Sequence, residues 1–146
     1  MFSQDRESIR GYFIAVWNKY LQKKPLEPLE QQVLAVILEH PEYHELLSDM
    51  ESALTNDYPP EAGKSNPFLH MGMHIAIREQ VGINRPPGVK AIYESLIIKT
   101  SGDTHAAEHL MLECLGESLW HARNEGMLPD ETGYMDCLRR CADGDR

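Results

Sequence analysis

From about Ser3 to Gln22 the apolar residues Ile9, Phe13, Val16, Trp17, Tyr20 and Leu21 recur three or four apart with charged residues between them. That is the spacing of one buried face of a helix. Pro25 and Pro28 interrupt the pattern, and Pro28 suits a first helical turn, where its missing N–H has no intrahelical partner. A second helix is predicted from there to about Glu39 through Val33, Leu34, Val36, Ile37 and Leu38. Pro41 disfavours the helical conformation at His40, so the chain kinks or restarts before a short helix through Tyr43, Leu46, Leu47 and Met50. Thr55 to Ser65, with Pro59, Pro60 and Gly63 and no period, reads as the longest loop, placed to cover a site. Asn66-Pro67 is a helix start, a capping side chain followed by a pre-set first turn, for a helix to about Val81. After Asn84-Arg85-Pro86-Pro87-Gly88, a helix is predicted over Val89 to Lys99, ended by Ser101-Gly102. Asp103 then caps the longest late helix, to about Glu125, and Gly126 and Pro129 separate a tail helix carrying Tyr134, Leu138 and Cys141. No strand-like alternation competes, so the expected class is all-α: a helical bundle of four to five core helices with short additional helices.

A chain of 146 residues with 42% hydrophobic content is expected to form a single helical domain, residues 1–146. The formal charge of −9, from 23 acidic and 14 basic residues, repels a phosphate backbone unless the cations are gathered on one face. They are spread from Arg6 to Arg140, so no nucleic acid is expected as a partner. Asp5, Arg6, Glu7 and Arg10 interrupt the first residues, which excludes a secretory signal there. Apolar runs such as Val33 to Leu38 are far shorter than the roughly 20 residues that span a bilayer, so no membrane partner is expected either. Three cysteines, Cys114, Cys137 and Cys141, fit a reducing compartment, and the cytoplasm is the expected location.

The histidines change this picture. Six of the seven fall into His-x-x-x-His pairs, His40/His44, His70/His74 and His105/His109, where random placement would give about 0.3 such pairs. Residues four apart on a helix lie one above the other, so each pair presents two imidazoles to one point, the convergence that a metal ion needs. Glu113, four residues after His109, and Glu108 add carboxylates beside that stripe. At about 100° per residue, His105, His109, Leu112, Glu113, Gly116, Leu119 and Trp120 share a face, which places the polar groups at the edge of the core. The candidate ligands are therefore His70, His74, His105 and His109, with Glu113 or Glu108 and His40 and His44 completing one or two ions. Imidazoles with a carboxylate suit iron, manganese or zinc, a divalent transition metal whose identity the spacing does not select. An acidified bound water, or redox chemistry at iron, would drive any reaction there. In outline these spacings resemble hemerythrin-like bundles, though the ligand order differs and oxygen binding is not implied.

Weaker patterns point elsewhere. His105-Ala-Ala-Glu108-His109 has the His-x-x-Glu-His form of inverted zinc peptidases, but those chains are several times longer and need a substrate cleft. Cys137-Leu-Arg-Arg-Cys141 is neither a zinc ribbon nor a Cys-x-x-Cys redox pair, and reads as two core cysteines. No Gly-rich phosphate loop or Gly-x-Ser-x-Gly elbow is present.

Three segments, Asn66-Pro67-Phe68-Leu69-His70-Met71-Gly72-Met73-His74, His40-Pro41-Glu42-Tyr43-His44 and His105-Ala106-Ala107-Glu108-His109, resemble a bacterial family known as domain of unknown function 1841, and the resemblance runs from Phe2 to about Arg140. It implies a bacterial cytoplasmic protein, and neither an activity nor a ligand. Two readings of function stand from the sequence. One is a metal-binding helical bundle, mono- or dinuclear, with an unknown small-molecule substrate if it is an enzyme. The other is a non-catalytic protein-interaction module whose histidines form a structural hydrogen-bond network and whose helix faces bind a protein partner.

Overall fold

A computed structural model describes residues 6–49, 53, 54, 66–126, 128 and 130–144. The loop read over Thr55 to Ser65 lies outside the described residues. Seven α-helices stand among those described: α1 (Arg6–Leu21), α2 (Pro28–Leu38), α3 (His44–Ser48), α4 (Pro67–Ile83), α5 (Val89–Lys99), α6 (Thr104–Glu125) and α7 (Glu131–Asp143). A 3-10 turn, Pro41–Tyr43, precedes α3, and no strand occurs among the described residues. The protein is all-α. Its chain divides into two compact units, Met1–Ile75 and Ala76–Arg146, with the boundary inside α4.

In the first unit the apolar stripe of α1 supplies Phe13, Ile14, Val16 and Trp17 to a core completed by Val33, Val36 and Ile37 of α2, Leu47 of α3, Ala53, and Phe68 and Met71 of α4. Phe13 and Phe68 meet edge to face, centroids 5.7 Å apart. Arg10 is buried with its guanidinium engaged. One guanidinium N–H donates to the Ala53 carbonyl at 3.1 Å, and its carbon lies 4.9 Å from the centre of the Phe68 ring. Glu30 joins α1 to the start of α2. It accepts from the Glu27 amide at 2.9 Å and from Lys19 Nζ at 2.7 Å. Those two contacts, the amide first, hold its carboxyl below the usual glutamate range. The helix start read at Asn66-Pro67 is present: Asn66 Oδ1 accepts from the amides of Phe68 and Leu69, at 2.9 and 3.2 Å.

In the second unit α5, α6 and α7 pack on one another around Val89, Leu96, Ala107, Met111, Leu112, Cys114, Met135 and Leu138. Asp103 caps α6 by accepting from the Ala106 amide at 3.0 Å, as its position predicts. The helix ends follow the glycines: Gly126 closes α6 at φ 66°, a conformation that costs a side chain and that glycine adopts freely. Tyr134 is buried with its hydroxyl donating to Gln80 Oε1 at 2.7 Å. Cys114 and Cys137 form a disulfide, and Cys141 is a buried thiol beside it. Cys137 and Cys141 are both in the core, as read from the sequence, and the bond from Cys137 to Cys114 is what that reading did not contain. The reason is that i, i+4 spacing on α7 turns Cys137 and Cys141 to the same face, and α6 brings Cys114 against it.

The buried face of α6 is also rotated from the expected stripe. Ala107, Glu108, Met111, Leu112 and Cys114 are buried, whereas Trp120 is 62% exposed. Of the polar residues assigned to the edge of the core, His105 is half-buried and His109 and Glu113 are exposed.

Candidate metal centre

His40 follows the last turn of α2 and leaves the helical conformation, at φ −126° and ψ 64°, as the following proline requires. Its ring turns back on the helix end, where Nδ1 lies 2.8 Å from the Val36 carbonyl oxygen. A carbonyl only accepts, so Nδ1 carries a proton in this contact, and Nε2 is the ring nitrogen that could act as a ligand. A carbonyl fixing one ring nitrogen while the other faces inward is the usual support of a metal-binding imidazole. Both His40 Nε2 and His74 Nε2 are closed off from solvent.

Three imidazoles gather here. The ring centroids of His40 and His70 are 5.1 Å apart, those of His40 and His74 4.9 Å, and those of His70 and His74 4.8 Å. A ligating nitrogen of His40 lies within 4.8 Å of one of His74. His70 and His74 share a face of α4 because they stand four residues apart on a regular helix. His74 is fully buried and His70 half-buried. Tyr43, which was not among the candidates, stacks parallel on His40 at 5.5 Å, with 4° between the planes.

His44 is not part of this group. Its ring packs on Trp17, centroids 4.4 Å apart, and its Nε2 donates to the Ile37 carbonyl at 2.7 Å. The His40/His44 pair is split because the 3-10 turn separates the two residues, and i, i+4 stacking holds only along an uninterrupted α-helix.

In the second unit His105 and His109 remain on one regular helix and stand edge to face, centroids 4.3 Å apart. A ligating nitrogen of each lies within 4.8 Å of the other. Glu108, between them in sequence, points to another side of α6. It is buried, and both carboxylate oxygens accept from Arg78 Nε, at 3.2 and 3.1 Å. Such a pair is how a buried carboxylate is tolerated. Glu113 is exposed, close enough to Cys141 to reinforce electrostatically the upward push that burial exerts on its thiol.

The fold and these side chains define an all-α protein with histidine groups placed where they could hold a metal ion. The family described as Domain of unknown function (DUF1841) matches residues 5–140, and the chain belongs to it. No curated protein and no solved structure matches the chain. Among the described residues no helix is long and apolar enough to cross a membrane.

Proposed function

We propose that the protein binds a divalent transition metal through imidazole ligands. His40 and His74 form the principal pair, with His70 beside them, and His105 and His109 add a second pair of ligands. The observation that carries this reading is the approach of His40 and His74, whose ligating nitrogens come within 4.8 Å of one another and whose Nε2 atoms are both shut off from solvent, with the His70 ring centroid within 5.1 Å of both. The ligand chemistry fits zinc, iron or manganese. Glu108, engaged by Arg78, and Glu113, exposed, stand outside the proposed ligand set, as does His44. What the ion would supply is a polarised or acidified water, or a redox centre if the ion is iron. A bacterial cytoplasmic setting, as the family resemblance implies, provides each of these metals.

The contacts at the end of α2 favour one other reading. His40 Nδ1 and His44 Nε2 satisfy the last carbonyls of that helix, those of Val36 and Ile37, as structural histidines do. On that reading the protein is an interaction module that binds a protein partner without metal. Elemental analysis of untagged protein, purified without chelator or nickel resin, separates the two. The metal reading expects one or two zinc, iron or manganese ions per chain, at least one of which is lost in His40→Ala/His74→Ala. Comparison with His105→Ala/His109→Ala then tells whether the two groups serve one ion or two. Wild-type protein with far less than one metal per chain, and no uptake when titrated with these ions, overturns it.

A further inference from the structure

Cys114, Cys137 and Cys141 are all buried, and their sulfurs all lie within 4.8 Å of one another. Cys114 Sγ is 3.7 Å from Cys141 Sγ. In a tetrahedral zinc site with Zn–S bonds of about 2.3 Å, neighbouring sulfurs stand about 3.8 Å apart. That edge is therefore already formed between α6 and α7. Cys137, one turn before Cys141 on α7, completes a triangle once its bond to Cys114 is opened and its sulfur backs away by side-chain rotation. The Glu117 carboxylate lies 3.6 Å from Cys137 Sγ. Cys114, Cys137 and Glu117 line a cavity of about 500 Å³, which also takes in His121 and Tyr134. The cavity thus reaches two of the three cysteines and brings a carboxylate beside them.

We propose that the reduced second unit holds a thiophilic metal ion, zinc by class, on Cys114, Cys137 and Cys141, and that the Cys114–Cys137 disulfide is the closed, metal-free state of the same site. Opening needs a dithiol reductant. The disulfide takes up two electrons and two protons and becomes two thiols, while the dithiol becomes a cyclic disulfide. Each of the three thiols then gives its proton to solvent as its sulfur binds the ion. The site is distinct from the histidine groups in residues and in chemistry, since thiolates select softer ions than imidazoles with carboxylates. It does not depend on the reading given above.

Cobalt(II) is the probe, because thiolate ligation produces a near-ultraviolet charge-transfer band that histidine ligation does not. The full chain is reduced with a dithiol, freed of it anaerobically and titrated beside the same protein oxidised. The expected result, read from the band, is one equivalent bound at the cysteines of the reduced protein and none in the oxidised one, whatever the histidines take up without a band. Affinity read from the band should fall at least tenfold in Cys141→Ser. Should Cys141→Ser fail to fold, thiol counting by alkylation and mass spectrometry in the wild type replaces it, with cobalt(II) or zinc protecting all three cysteines. No band in the reduced wild type, a band that survives Cys141→Ser, or alkylation unaffected by metal overturns the proposal.

Discussion

Replacing Tyr134 by Phe tests the packing of the second unit through the pH at which it fails. The Tyr134 ring is 5% exposed, and its hydroxyl donates to Gln80 Oε1 at 2.7 Å. Removing the hydroxyl loses one neutral hydrogen bond and leaves a half-buried amide oxygen, worth about 1 kcal/mol at neutral pH. Burial also pushes the phenol up from 10.0 to about 12. In the unfolded chain the phenol ionises near pH 10, while the folded protein keeps the proton to about 12. Rising pH therefore favours the unfolded state. The stability is fully present below pH 10 and is lost progressively as pH climbs to about 12. At about 1.36 kcal/mol per pH unit, the loss reaches roughly 1.4 kcal/mol at pH 11 and about 2.7 kcal/mol above pH 12. The Phe variant has no such group, so its deficit of about 1 kcal/mol at pH 8 should vanish and reverse near pH 11. Urea unfolding followed by circular dichroism, on both proteins at pH 8, 10 and 11, measures the gap directly. Other titrating groups cancel in the difference. A gap that stays constant over this range would refute the reasoning, because it would mean that the phenol ionises as readily folded as unfolded.

Two further substitutions test how α6 is held. Glu108→Ala strands the Arg78 guanidinium, but the Arg78 side chain is 28% exposed and reaches water, so the cost should be about 2 kcal/mol rather than the 3–5 kcal/mol or so of a fully enclosed pair. A double-mutant cycle with Arg78→Ala should give a coupling of about 1 kcal/mol or more, and additive single effects would show that the contact contributes nothing. Asp103→Ala should cost about 1 kcal/mol through loss of the bond from the Ala106 amide, and Asp103→Asn should keep most of it. Chemical denaturation of both variants checks this, and an Ala variant as stable as wild type would remove the cap from the account.

Helix boundaries were legible because their signals are local. Asn66-Pro67, Asp103, Gly102 and Gly126 each act on the backbone within a turn of themselves, and the structure uses each as its position predicts. The pairs His70/His74 and His105/His109 were legible for the same reason, since four residues along an unbroken helix return to one face. His40/His44 has identical spacing and fails, because Pro41 sets a 3-10 turn between them. Its signal was present in the sequence, and it outweighs the spacing.

What the sequence alone determined about this protein is therefore its all-α class, the helix ends, and which histidines share a helix face. Tertiary structure decided which faces meet. It brought His40 onto His70 and His74, stacked Tyr43 on His40, set Arg78 against Glu108 across thirty residues of chain, and carried Cys114 to the Cys137/Cys141 face of α7. Periodicity reports a direction around one helix axis and holds nothing about the neighbour that lies in that direction. That neighbour is fixed by how the apolar faces of separate helices pack, which is a property of the whole core.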